Sequence, residues 1–442
     1  MNTELSLLSL EKSSVYFLGI GGSGMYGVAS LAMDMGIRVV GCDEKEGKNT
    51  ARLRARGIPL LQEEEAIPEN VGAVVYSLAV PPTHPRLCEA RARELPLFDR
   101  AAFLGLLMQS FSTRVAVAGS HGKSSTTAMC AAILSAAGHS PTVLSGAELN
   151  RDEGSYRRGE ESILLFEACE YRDSFLSFSP THALVLSASW EHTDYFPDRE
   201  SVLCSFDKFL HLESVHMSVA PFGELHADVT FGKGGEFYAE NVRHSGEGSC
   251  FCLCRAGRVL GEVSLPVLGA FQVENAVAAA ALCASLGVEN DAILRGLCSY
   301  RGIPRRMERR GSLRGVPLYL DFAHHPKELF CALRCASLLA RPLAVVFEPH
   351  TYSRTKSFFD DYVRALRMPH MAGVLPIYPA RETDTLGVSS VLLAREAGVA
   401  FLSDYLHAAR FLTRAAGKGC TLLLIGAGGV EGVLAHLPFL IP

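Results

Sequence analysis

No apolar run in this 442-residue chain approaches the roughly 18 residues that a membrane-spanning helix needs. Membrane insertion is therefore not expected. Positive charge is not in excess: 42 Lys and Arg stand against 47 Asp and Glu, for a formal net charge of −5. That balance argues against a nucleic-acid binder, which carries a basic footprint. The opening stretch MNTELSLLSLEKSS lacks a basic segment and carries Glu4 and Glu11, so a signal peptide is not expected. Sequence repeats and low-complexity tracts are absent as well. The 13 cysteines are odd in number and scattered, which does not suit a secreted disulfide framework and points to a reducing cytoplasm. Their densest cluster, Cys250, Cys252 and Cys254 in CFCLC, lacks the C-x-x-C spacing of a metal site. Alternate spacing places all three on one face of a strand.

What is present is a normal globular composition, 48% hydrophobic and 20% charged, with a length that suits two to four domains. Three regions can be read. The first opens SVYFLGIGGSGMYGVASLAMDMGIRVVGCDE: apolar strand, glycine turn, helix, second strand, acid. This is a βαβ unit of the dinucleotide-binding type, with Gly19, Gly21, Gly22 and Gly24 in the turn and Asp43 at the end of the second strand. The second opens RVAVAGSHGKSS and includes the strands SILLFEA and HALVLSAS and the helix ENAVAAAALCASLG. The third starts near RRMERRG and carries PLYLDFAHHP, LAVVFEPHTYSRTK and CTLLLIGAGG. Strands and helices alternate in all three, so an α/β protein of three domains with largely parallel sheets is expected. The boundaries fall near 1–109, 110–304 and 305–442.

The chemistry starts at VAVAGSHGKSSTT, where a strand breaks into Gly119, Ser120, His121, Gly122, Lys123, Ser124 and Ser125 before a helix. Glycines there let backbone N–H groups approach phosphates, and the helix N-terminus adds positive potential. Lys123 can reach the terminal phosphates and Ser124 can ligate magnesium. The common P-loop pattern needs one more glycine, six residues before the lysine, where Val117 stands. Two strand ends add carboxylates and an imidazole: Glu167, Glu170 and Asp173 in LLFEACEYRDSFL, and Glu191, His192 and Asp194 in LVLSASWEHTDYF. Ligands of open α/β sheets bind at such strand ends, and this set could hold Mg²⁺ around ATP. Read alone, GIGGSGM would also suit an NAD-dependent dehydrogenase.

GIGGSGM, GSHGKSST, EACEYRDSFL, EHTDYF, RRMERRG, DFAHHP and PHTYSRTK occur in one order. Together they resemble the Mur ligases of peptidoglycan synthesis, over almost the entire chain. The resemblance implies a Rossmann-like N-terminal domain for a UDP-sugar, a central ATPase domain of P-loop type and a Rossmann-like C-terminal domain. The activity it implies is ATP- and Mg²⁺-dependent ligation of L-alanine to UDP-N-acetylmuramate through an acyl phosphate. Ligation of an intact tripeptide to the same nucleotide, or nucleotide sensing without catalysis, remain alternatives. The implied roles are Lys123 on phosphate, Ser124, Glu167 and His192 on the metal, and Asn275, Arg306 and Asp321 at the nucleotide. Gly21, Gly22, Ser23, Gly24, Met25 and Asp43, with Ser77 and His84 in YSLAVPPTHP, fall to the UDP-sugar. His325, His350 and Arg354 fall to the amino-acid side, Arg354 to the alanine carboxylate. His324, His325 and His350 are candidates for the amine's proton. A monomer or homodimer in the cytoplasm is expected. The chain departs from the family pattern at Ser187 and Ser189, where Asn and Glu are usual, at Phe271 and Gln272 in place of His-Asn, and at Gly429 in place of Asp. The first two departures touch the nucleotide region.

Overall fold

The computed structural model describes residues 13–441 apart from 152, 193, 194, 340, 341, 381 and 439. Asp194 thus lies outside the described residues. The expected α/β architecture with three largely parallel sheets is borne out. The first sheet has five parallel strands in the order Leu60–Leu61, Arg38–Cys42, Ser14–Leu18, Val71–Tyr76, Leu97–Asp99. Strand order reverses between Ser14–Leu18 and Val71–Tyr76, the switch point where such sheets open a crevice. The glycine turn and Ser77 leave the sheet there. Strand Ser14–Leu18 is fully buried, as a parallel strand covered on both faces must be.

The second sheet has ten strands. Its parallel centre runs Met217–Pro221, His182–Val185, Thr113–Ala118, Ile163–Glu167, Thr142–Leu144. The strand that feeds the phosphate loop therefore lies between the two strands whose ends carry the acids. One edge continues into Phe237–Ser245, Gly248–Arg255 and Arg258–Leu265; the CFCLC cysteines alternate along the middle one. No disulfide forms among the described residues. The helix expected from Glu274 begins earlier, at Ala270, directly after Gly269 turns the chain at φ +115°. The third sheet has six strands in the order Glu308–Leu313, Val316–Asp321, Thr421–Ile425, Leu343–Phe347, Met371–Val374, Ala400–Phe401, parallel except for the first.

The chain forms two compact units. One carries the first sheet and the centre of the second. The other holds Val242–Cys250, Ser264–Val273 and the chain from Arg301 onward, with the third sheet. In the first unit a single apolar cluster runs from Val15, Phe17 and Phe103 to Phe166, Phe175 and Phe206. Phe17 and Phe103 meet edge-to-face at 5.6 Å, a favoured aromatic geometry. Arg52 pairs with Glu148 at 2.9 Å, and Tyr156 donates to Asp34 at 2.6 Å. No described helix is long and apolar enough to cross a membrane.

Phe103 is fully buried and locks the helix Arg100–Leu107 onto the first sheet. Truncating such a side chain removes its transfer free energy and leaves a cavity. Phe103→Ala should destabilise the first unit by about 3–5 kcal/mol, seen as a lower urea midpoint. An unmoved midpoint would show that the cluster is not what holds this helix.

Candidate active site

Strand Thr113–Ala118 ends in the loop, and helix Lys123–Ala136 begins at the lysine. Gly119 has φ +132°, and a Cβ there would fall 2.9 Å from Leu186. Gly122 has φ +84°, and a Cβ there would fall 2.4 Å from Asn275 Oδ1. Both positions combine left-handed backbone with close packing, which only glycine meets. Asn275 on the later helix is thereby placed against the loop. No side chain caps the helix at Gly122, so first-turn amides, which have no partner within a helix, remain available for an anion.

The residues that departed from the family pattern brace this loop. Ser187 accepts from Ser120 N through its carbonyl at 3.0 Å and from His121 N through its hydroxyl at 3.3 Å. Ser189 exchanges hydrogen bonds with the Ser120 hydroxyl at 3.0 and 2.9 Å. The Ser187 hydroxyl and the backbone of both residues thus hold the loop's shape. His121 Nε2 lies 2.9 Å from Glu191 Oε1. Phe271 is partly exposed and Gln272 buried.

Lys123 Nζ donates to the Gly119 carbonyl at 2.5 Å and to Glu170 at 2.9 and 3.3 Å. Glu170 is 3% exposed. Burial alone would raise its carboxyl, but the Lys123 charge, the nearby His192 imidazole and the Lys123 hydrogen bonds hold it down to about 2. Burial pulls the Lys123 ammonium down, and the Glu170 charge reverses that to leave it raised. His192 Nε2 lies 3.6 Å from Glu170 Oε1. Glu167 is placed differently: it accepts from Ser124 Oγ at 3.1 Å, Ser145 Oγ at 2.6 Å and Gly146 N at 2.6 Å. The two glutamates of EACE therefore do separate work. Sequence reasoning carried Glu167 forward and missed Glu170 as the partner of Lys123, although strand-end position singled out both. Among the described residues no group of three His, Cys, Asp or Glu is arranged to hold a metal. The Ser124 hydroxyl with the Glu167 carboxylate is a pair of hard oxygen donors, which suits Mg²⁺.

In the first sheet, Gly21 N donates to Asp43 Oδ2 at 2.8 Å and Asn49 donates to the Gly21 carbonyl at 2.9 Å. Asp43 therefore clamps the glycine turn. Gly22 precedes helix Ser23–Asp34 without a side-chain cap. Gly24 lies in that helix's first turn, while the Met25 side chain packs in the core. Ser77 donates its amide to the Leu18 carbonyl at 3.3 Å, beside Gly19. His84 is committed elsewhere: it caps helix Pro85–Ala92 by accepting from Arg86 N at 3.2 Å, and pairs with Glu63 at 3.0 Å.

In the second unit, Asp321 ends a central strand and accepts from Met307 N and Ala323 N, each at 2.8 Å; burial pushes its carboxyl up. Arg306 lies over Phe322 at 5.5 Å and 3.9 Å from Glu328. Its neighbour Arg305 is more engaged, donating to the carbonyls of Gly426 and Gly428 at 2.5 and 3.2 Å. His325 caps helix Pro326–Ser337. Arg354 Nη1 lies 3.1 Å from His350 Nδ1. Burial, with the His324 and Arg354 charges, lowers His350 to about 4, so His350 is neutral near pH 7 and accepts from Arg354. Gly429 has a local reason: a Cβ there would fall 2.4 Å from Tyr405 Oη, and that hydroxyl donates to buried Glu348 at 3.0 Å.

The Lys123–Glu170 pair carries a pH signature. A carboxyl lowered on folding stabilises the protein above its unfolded pKa and loses that contribution as pH falls through the folded one. For Glu170 the window runs from the ordinary 4.5 down to about 2. Glu170→Gln should remove this component, so the wild-type minus variant stability difference should shrink between those pH values in acid-denaturation series. A constant difference across the window would show that Glu170 is not held ionised by Lys123.

Three family descriptions match the chain in order: Mur ligase family, catalytic domain, at residues 14–112; Mur ligase middle domain, at 117–283; and Mur ligase, glutamate ligase domain, at 305–428. The UDP-N-acetylmuramate–L-alanine ligase of Agathobacter rectalis is 34% identical over 438 residues, covering 94% of this chain and 95% of its own. The crystal structure of the UDP-N-acetylmuramate–alanine ligase MurC from Thermotoga maritima superposes with a TM-score of 0.80 at 25% identity, over 95% of this chain and 97% of that one. A murein peptide ligase from Psychrobacter arcticus shares the fold, with a TM-score of 0.70 at 21% identity over 96% and 98% of the two chains. With a phosphate loop built between two acidic strand ends and family matches across all three sheets, this chain belongs to the Mur ligase family.

Proposed function

We propose that this protein is an ATP-dependent ligase that joins L-alanine to the lactyl carboxylate of UDP-N-acetylmuramate. The observation that carries the reading is the intact phosphate loop, with Lys123 on Glu170 and Ser124 on Glu167, in a chain 34% identical along nearly its whole length to a ligase of that name. A carboxylate is a poor acceptor for an amine. Attack of a carboxylate oxygen on the γ-phosphorus of ATP releases ADP and gives an acyl phosphate. The neutral amine of alanine then attacks the acyl carbon, phosphate leaves, and one proton is lost.

This chain's residues would bind, orient and neutralise charge along that path. First-turn amides from Lys123 onward and the Lys123 ammonium face the phosphates, where fixed positive groups stabilise the transferring phosphoryl. Ser124, Glu167 and His192 would hold Mg²⁺, with phosphate and water oxygens completing its shell. Mg²⁺ bound there would offset phosphate charge. Asn275, Arg306 and Asp321 belong to the nucleotide in this reading. The glycine turn at Gly21–Gly24 takes the UDP-sugar through backbone N–H groups. Asp43 already accepts from Gly21 N, whereas a dinucleotide fold uses the corresponding acid on a ribose; this disfavours the dehydrogenase reading. The functional domains are taken as 1–109, 110–304 and 305–442, and a cytoplasmic location goes with the reduced cysteines.

Two experiments test the reading. The protein incubated with ATP, Mg²⁺, UDP-N-acetylmuramate and either L-alanine or tripeptide should yield the alanyl product by mass, and Lys123→Ala should abolish it while remaining folded. A tripeptide product alone would make this the recycling enzyme instead, and no product with either amine would favour a nucleotide sensor. Second, a guanidinium holds a carboxylate through two parallel hydrogen bonds that a lysine cannot reproduce. Arg354→Lys should raise the KM for L-alanine at least about tenfold, about 1.4 kcal/mol, with a much smaller change for ATP. A rise confined to ATP would move Arg354 to the nucleotide.

A further inference from the structure

Arg100 opens helix Arg100–Leu107, directly past the carboxyl end of strand Leu97–Asp99. Asp99 caps that helix by accepting from Ala101 N and Ala102 N at 2.8 and 2.9 Å, so the helix start does not depend on the Arg100 side chain. The side chain reaches across the switch point of the first sheet instead. Its guanidinium lies against the first turn of the glycine-turn helix: a Cβ on Gly24 would fall 3.0 Å from Cδ, 3.2 Å from Nε and 3.4 Å from Cζ. The absence of a side chain at Gly24 is what admits the arginine.

The same charge is felt at the central sheet. Cys169 lies between Glu167 and Glu170, and its thiol is pushed up mainly by burial, while Lys123 and Arg100 oppose the shift. Arg100 thus lies against the glycine turn and is near enough to Cys169 for its charge to act there. Yet no carboxylate or carbonyl among the described residues pairs with it, in contrast to Arg52 on Glu148 and Lys123 on Glu170. The helix end it touches has no side-chain cap. A half-buried arginine with no paired anion among the described residues, next to open helix amides, is suited to an oxyanion from a ligand.

We propose that Arg100 is a substrate-binding residue that grips an anionic group of the sugar nucleotide where it passes from the glycine turn towards the phosphate loop. This rests on the ligase reading above. Two groups of that substrate carry the required chemistry, its diphosphate and its acceptor carboxylate. Both present paired oxygens to a planar guanidinium.

The test compares binding of UDP and of UDP-N-acetylmuramate by calorimetry in wild type, Arg100→Ala and Arg100→Lys, with thermal midpoints recorded alongside. Arg100→Ala should weaken UDP-N-acetylmuramate at least about tenfold with an unmoved midpoint, and Arg100→Lys should recover part of the loss. The KM for that substrate should rise accordingly, while the KM values for ATP and L-alanine stay within about twofold. An equal loss for UDP assigns the grip to the diphosphate. A loss seen only with UDP-N-acetylmuramate assigns it to the carboxylate. Wild-type affinity for both ligands in Arg100→Ala overturns the proposal, whatever happens to turnover. Wild-type protein that binds UDP but ligates no amine sinks the ligase reading instead, and the UDP comparison still decides the role of Arg100.

Discussion

An ammonium taken out of water needs a counter-charge close by, and the centre of the first unit is arranged around that need at Lys123. Burial by itself would pull the lysine's pKa down. Glu170 prevents this, and Lys123 in turn keeps Glu170 ionised despite its burial. Such a pair contributes little net stability, because desolvation offsets most of the attraction. Its value is in position. Glu170 and the Gly119 carbonyl fix Nζ at the mouth of the loop, and the strand order brings both there. With Thr113–Ala118 between Ile163–Glu167 and His182–Val185, the three strand ends open on the same side.

The backbone around this pair is held in conformations that ordinary residues avoid. Arg172, Asp173 and His192 all have positive φ, at 52°, 54° and 53°. Each such residue is costly unless its surroundings over-determine it. Here they do. Tyr195 donates to Asp173 at 2.7 Å and Ser205 donates to it as well, while the Tyr171 and His192 rings pack at 4.8 Å. The result presents the His192 imidazole to Glu170 from a fixed direction. A loop free to relax would lose that aim.

How much of this could be read beforehand follows from the range of the interactions. Both glycine turns, the Lys-Ser pair and the alternation of strands and helices are local patterns, and the fold follows from them. The division of labour between Glu167 and Glu170 is not local: it depends on Ser145 and Gly146 reaching Glu167 from a neighbouring strand. Asp43, which the resemblance gives to the UDP-sugar, accepts from Gly21 N across 22 positions and so clamps the turn. His84, which the resemblance gives to the UDP-sugar, caps a helix whose first residue is the proline that follows it. Gly429 looks like a lost aspartate until Tyr405, from a distant helix, is found occupying the space. Arg100 belongs to no motif and becomes visible only when Gly24 is seen beneath it.

The second unit solves its buried-charge problem by other means. Asp321 and Glu348 both end strands of the third sheet, and burial pushes both carboxyls up. Among the described residues neither has a cation within ion-pair distance; Asp321 takes two backbone amides, and Glu348 takes the Tyr405 hydroxyl at 3.0 Å and Val430 N at 3.1 Å. A buried carboxyl satisfied by neutral donors leaves the neighbouring arginines uncommitted to it. Arg305 goes to the glycine-run carbonyls. Arg354 rests against a His350 that is kept neutral and so accepts rather than repels. The acids organise the backbone here, and Arg354 lies against His350 rather than against either of them.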